Sequence, residues 1–171
     1  MQQESIAVST QVSPYNRKDW PHWIDADRDC QDTRQEMLIA TSRVPVKFKD
    51  SRHCTVVSGD WFGVYTGKTF TRSSDVDIDH IVPLAHAHRH GADKWTRDQR
   101  RTFANDFENL LVVDDSANQS KGDQAPHEWL PPRKEYWCEY GKRWMRIKDK
   151  YRLLFSVLER ETLGMLDETC R

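Results

Sequence analysis

The run Asp77-Ile78-Asp79-His80-Ile81-Val82-Pro83-Leu84 constrains this chain more than any other segment. Its β-branched residues favour a strand. Pro83 lacks the N–H that a ladder needs and has its φ preset for a helix start. The strand must therefore stop near His80, with a helix expected after Pro83. Further on, Asn109-Leu110-Leu111-Val112 reads as a second strand and Ser116-Ala117-Asn118-Gln119-Ser120-Lys121-Gly122 as a helix. The predicted order is strand, turn, strand, helix, carrying an aspartate, a histidine and two asparagines. That residue set can hold one divalent metal and activate one water against a phosphodiester.

A chain of 171 residues can bury a core without help, and seven Trp argue for a folded protein despite 31% charged residues. No apolar run approaches the roughly 20 residues of a membrane span, so no membrane partner is expected. The start, Met1-Gln2-Gln3-Glu4-Ser5, has neither a basic nor an apolar leader region. This fits either an intracellular protein or a mature exported chain with an added methionine. Four cysteines, Cys30, Cys54, Cys138 and Cys170, show no C-x-x-C pair and allow three connectivities. Segments 134–152 and 155–169 both read as helices hinged near Leu153-Leu154. Cys138 and Cys170 lie almost equally far from that hinge, so an antiparallel pair would join them and leave Cys30 with Cys54. Two disulfides favour a secreted or periplasmic chain over a cytoplasmic one, where the four thiols would be reduced.

Net charge is only −1, but it is unevenly spread. Arg133–Arg152 holds eight basic and three acidic residues, and Asp19–Glu36 six acids against two Arg. Such asymmetry can present a basic face to phosphates, and it is equally what a pair of solvated helix faces would show.

Residues 1–18 lack periodicity and read as a peripheral tail, with 19–171 as a single domain. Gln31 to Ile39 reads as a helix. Val46-Lys47-Phe48 and Thr55-Val56-Val57 read as short strands, and Gly59, Gly63 and Thr66-Gly67-Lys68 as turns. Trp137, Tyr140, Trp144, Ile147 and Tyr151 recur in steps of three and four, the core face of a helix, while Lys142, Arg146 and Lys150 form a basic stripe on another face.

Phosphodiester hydrolysis requires a nucleophile, charge neutralisation and help for the departing oxygen. A hard cation such as Mg²⁺ serves the last two and takes oxygen ligands. A neutral histidine accepts the proton of water. Asp79 is then the candidate ligand, His80 the candidate base, and Asn118 a second ligand through its carbonyl oxygen.

These residues resemble the HNH, or ββα-metal (His-Me finger), nuclease motif, in the variant whose final histidine is asparagine. Asp77 to Pro83 is also similar to the HNH domain of RNA-guided DNA nucleases. A wider frame adds Trp20-Pro21-His22-Trp23-Ile24-Asp25, Leu84-Ala85-His86-Ala87-His88 and Glu128-Trp129-Leu130-Pro131-Pro132. From Tyr15 to Cys170 it resembles exported bacterial HNH endonucleases related to the C-terminal domain of GmrSD restriction enzymes. The resemblance implies His80 as general base, Asp79 and Asn118 as metal ligands, and Asn109 as the side chain that pins the loop orienting His80. The four-cysteine zinc brace of some HNH enzymes is absent, which leaves bracing to disulfides and C-terminal helices.

Lys121, a turn from Asn118, is expected to contact a substrate phosphate, with His86 and Arg89 as further candidates. His86 and His90 share a helix face and could bind a transition metal. Asp25, Asp27, Asp29, Gln31, Thr33 and Glu36 match the ligand offsets of a calcium loop, although Cys30 stands where such a loop needs Gly; they read mainly as acids at a helix N-terminus.

The expected fold is α+β: a ββα-metal core over about 70–125, an N-terminal helix and strand extension, and a C-terminal helix pair. The expected activity is metal-dependent hydrolysis of DNA, with RNA as a second substrate, using Mg²⁺ or Mn²⁺ and little sequence preference. No obligate protein partner is evident. Activity should fall on acidification through the His80 pKa. The competing readings are an intracellular restriction or repair nuclease with partner-supplied specificity, and a non-catalytic nucleic-acid-binding domain.

Overall fold

The computed structural model describes residues 12–171. It is a mixed α+β structure with six helices and two small antiparallel sheets, as the pattern predicted. Asp32 starts α1 (Thr33–Thr41) by accepting a hydrogen bond from the Gln35 amide. Strands β1 (Lys47–Phe48), β2 (Val56–Gly63) and β3 (Lys68–Arg72) form the first sheet, and β4 (Val76–His80) pairs with β5 (Leu110–Asp114) in the second. Between β4 and β5 lie α2 (Leu84–Arg89), directly after Pro83, and α3 (Arg97–Ala104). Helix α4 (Asp115–Lys121) follows β5 at once, and α5 (Trp137–Lys150) and α6 (Val157–Glu168) close the chain.

Gly59 lies within β2, at an irregularity between Ser58 and Trp61, and is not a turn. A Cβ there would come within 2.7 Å of both Ser42 Oγ and the Trp61 ring, so the glycine marks a close approach. Gly67, with φ of 76°, does sit in the β2–β3 turn.

Alternation along β4 decides what faces what. Val76 and Ile78 enter a cluster with Met37 and Leu38 of α1, Val56, Trp61, Leu110 and Val112. Asp77 and Asp79 point the other way, toward α4. A second, larger cluster joins Trp20, Tyr65, Phe103, Tyr140, Trp144, Ile147 and Leu163. The aromatic stripe of α5 is thus core.

Residues 12–18 lie at the periphery, all but Tyr15 exposed, and are tied to the domain by contacts. Tyr15 packs on Trp20 and His88, and the Ser13 carbonyl accepts a 2.7 Å hydrogen bond from His88 Nε2. Residues 1–11 lie outside the described residues. Disulfides join Cys30 to Cys54 and Cys138 to Cys170, the second across the α5–α6 pair, and both pairings are the favoured ones.

Candidate active site

Helix α3 ends at Ala104, whose carbonyl has no partner one turn ahead. His80, at the end of β4, donates its Nε2–H to that carbonyl at 2.8 Å. The bond fixes the tautomer and leaves Nδ1 as the basic nitrogen, unprotonated and without a hydrogen-bond partner among the described residues. The ring stacks on Trp23 with centroids 5.4 Å apart and planes within 9°. Trp23 adopts φ of 53°, a left-handed conformation unusual for a bulky residue, and holding it costs on the order of 1–3 kcal/mol. Burial lowers the His80 pKa to about 3, opposed by the bond to Ala104 and reinforced by the charge of Arg17. The acid loss expected around the ordinary histidine range is therefore displaced to lower pH.

Beyond His80 the chain is clamped by Asn109. Its Oδ1 accepts from the Val82 amide at 2.9 Å and its Nδ2 donates to the Val82 carbonyl at 3.1 Å. A completely buried asparagine thus satisfies both backbone groups of the residue two after His80.

Asp79 and Asn118 both line, with His80, a cleft of about 410 Å³ whose other walls include Tyr15, Arg17, Pro83, Leu84 and Asp123. Asn118 donates from Nδ2 to Asp77 at 3.1 Å, which leaves Oδ1 for a cation. Asp79 is 4% exposed and heavily engaged: Tyr65 Oη donates to Oδ2 at 2.6 Å, and Lys121 Nζ donates to Oδ1 at 3.0 Å. A carboxylate accepts about four hydrogen bonds, so lone pairs remain. The oxygen donors of Asp79 and Asn118 fit a hard cation by type, with the Lys121 ammonium as its competitor.

Lys121 itself is 0% exposed, held by Asp79 and by the His80 carbonyl at 2.9 Å. Burial raises the Asp79 carboxyl pKa and lowers that of the Lys121 ammonium, while their mutual attraction opposes both shifts. The geometry gives no support to Lys121 as a phosphate contact: its charge is spent inside the protein.

His86 also sits away from the cleft. It is buried, stacks on His90 at 3.9 Å, and accepts from Lys148 Nζ at 3.0 Å. Lys148 in turn donates to both oxygens of Glu159, at 2.7 and 2.8 Å. His86, His90 and Glu159 have the donor atoms of a metal site, but the Lys148 ammonium already supplies the positive charge there. Arg89 pairs with Asp123 at 2.7 Å on the cleft rim. In the basic stripe, Lys150 is tied to Asp106 and Glu108, while Lys142 and Arg146 stay exposed.

Of the acidic loop, Asp25, Asp27 and Asp29 come together in the open. Asp25 accepts from the amides of Asp29 and Cys30, and Thr33 Oγ1 donates to Asn105 Oδ1 at 2.8 Å, away from that group. Cys30 occupies the expected glycine position with φ of 74°.

Two contributors escaped the sequence reading. Tyr65 lay among turn signals with nothing to mark its hydroxyl. Arg17 lay in a segment without periodicity; the neighbouring Trp20-Pro21-His22-Trp23 was the available hint that this stretch is packed.

A strand pair followed by a helix, with an Asp-His at the strand end and an asparagine from the helix, thus brings oxygen donors and an imidazole to one cleft. The model of the GmrSD restriction endonuclease C-terminal domain matches residues 31–164, and the chain belongs to that family. Membership points to nuclease activity and a nucleic-acid substrate. A protein of Arthroderma benhamiae carrying the name "Uncharacterized secreted protein" is 42% identical over 158 residues, covering 91% of this chain and 76% of that relative. No solved structure matches the chain.

Proposed function

We infer that the chain is an HNH endonuclease that hydrolyses phosphodiester bonds of DNA, and of RNA as a second substrate, with little sequence preference. The strand pair and α4 are read as its ββα-metal core, within one nuclease domain over 19–171. The carrying observation is His80: its Nε2–H is committed to the Ala104 carbonyl, and the ring lines the cleft shared with Asp79 and Asn118.

In this reading Asp79 and Asn118 would hold one divalent cation, Mg²⁺ or Mn²⁺. When bound, it supplies charge neutralisation at the phosphate and at the departing oxygen. His80 Nδ1 accepts a proton from water as the water oxygen bonds to phosphorus. The bond from phosphorus to the 3′ oxygen breaks and that oxygen takes a proton from solvent, giving 5′-phosphate and 3′-hydroxyl ends. Asn109 is a positioning residue that fixes the chain after His80. Tyr65 and Lys121 orient Asp79. Little sequence preference follows if the contacts are with backbone rather than base edges. The two disulfides and the secreted relative support an exported location.

Plasmid cleavage tests the reading. Nicking by the wild type in Mg²⁺, abolished by EDTA and by Asn118→Ala, is the expected result; calorimetric Mg²⁺ binding should weaken in the same variant. Cleavage that persists in EDTA would contradict it.

A further inference from the structure

We propose that Arg17 is the cation that meets the scissile phosphate in this cleft, a role the sequence order suggested for Lys121. The proposal rests on the nuclease reading and adds a substrate-binding residue to it.

Tyr15 and Arg17 contribute to one wall of the cleft. Asn16 caps a short 3₁₀ turn over Arg17–Asp19 through the Lys18 amide. Arg97 of α3 donates to the Lys18 carbonyl at 3.2 Å, which ties the turn to the helix that ends beneath His80. Arg17 Nη2 donates to His22 Nε2 at 3.4 Å; His22 packs edge-on against Trp23, and Trp23 stacks on His80. A chain of direct contacts thus runs from the guanidinium to the candidate base.

The charge inventory of the cleft completes the argument. With His80 neutral, Arg17 is the one cationic side chain lining it among the described residues. Lys121 is sealed against Asp79, and Arg89 is neutralised by Asp123. Arg17 has no carboxylate partner among the described residues, and its contact with His22 is long, at 3.4 Å. An exposed guanidinium with donors to spare beyond its contacts to His22 and Tyr15, beside a hydrolytic base, suits a phosphate diester, which it can hold through two oxygens.

The test separates the scissile phosphate from its neighbours by using two substrates. Bis(p-nitrophenyl) phosphate has one phosphate and no flanking backbone, whereas plasmid DNA has both. Arg17→Ala should lose about 10²-fold in kcat/KM on both, the scale of removing one charge-stabilising donor. Arg17→Lys should recover part of the loss, and Lys18→Ala should leave the small diester unaffected. Thermal melts confirm that each variant is folded. A loss confined to DNA would place Arg17 on backbone away from the reacting group and overturn the proposal.

Binding is read separately, with His80→Ala protein in EDTA on an oligonucleotide duplex. There, Arg17→Ala should reduce the slope of log Kd against log salt by about 0.9, one phosphate contact. An unchanged slope overturns the proposal whatever the activity shows. A wild type inert on both substrates whose salt slope still falls with Arg17→Ala would defeat the nuclease reading while leaving the phosphate contact standing.

Discussion

Asp79 and Lys121 are a buried ion pair at the floor of the cleft, each nearly inaccessible, with Tyr65 closing the third side. Removing one partner strands the other charge. Lys121→Met should therefore cost about 3–5 kcal/mol in urea unfolding. Adding Asp79→Asn to that variant should restore part of the loss; an isolated Lys121→Met within 1 kcal/mol of wild type would show that the pair is not structural. The same pair explains where sequence reading stopped. Asp79, His80 and Asn118 could be placed on a strand and a helix from the residue pattern, whereas Asn109, at the end of a short 3₁₀ turn, was singled out only through the resemblance to HNH nucleases. The burial of Lys121 was not legible, because a lysine one turn beyond Asn118 looks identical in sequence whether it turns toward solvent or under the strand. Arg17 was illegible for the opposite reason: its segment is held by aromatic contacts and caps, which leave no period.

At the scale of elements, the two regular patterns proved the most readable. Alternation along β4 sends Ile78 to one core and Asp79 to α4, and the three-four spacing of Tyr140, Trp144 and Ile147 seats α5 on its buried face. Irregular elements resisted: β2 runs through Gly59, where two side chains approach too closely for a Cβ, and glycine spacing alone suggested a turn. Glycines in the helix pair differ in the same way. A Cβ at Gly141 would lie 3.0 Å from Leu166 Cβ, whereas one at Gly164 meets nothing within 4 Å. Gly141→Leu should thus destabilise by about 1–3 kcal/mol through overpacking. Gly164→Ala should stabilise by about 0.5–1 kcal/mol through helix propensity. Urea midpoints that rank these two variants the other way would refute the packing of α5 on α6.

Across the whole molecule, buried histidines set the response to acid. His86 has its pKa lowered to about 4 by burial, with Lys148 adding to the effect, and His80 is held at about 3. Both folded values lie below the unfolded 6.5, so the unfolded chain binds more protons between pH 6.5 and about 4. Stability is full above that window and declines as pH falls through it, by on the order of 3 kcal/mol for His86 alone. Burial pushes the Glu159 carboxyl up, but the hydrogen bonds from Lys148 and Trp144 and the Lys148 charge hold it at about 2, which adds a further loss below the unfolded carboxylate range. A melting temperature that drops from pH 6.5 to 4 in wild type, and less steeply in His86→Gln, is the expected outcome; a flat profile would contradict it. The covalent frame is checked with a thiol reagent on denatured, unreduced protein: no reactive thiols are expected, and four would place the chain in a reducing compartment. The most direct measurement of the central claim is the cleavage rate of His80→Ala at saturating Mg²⁺, with its melting curve recorded alongside. The account predicts a folded protein that has lost about 10²–10⁴-fold in rate, the contribution of a positioned general base. A folded variant that cleaves DNA at the wild-type rate would contradict it.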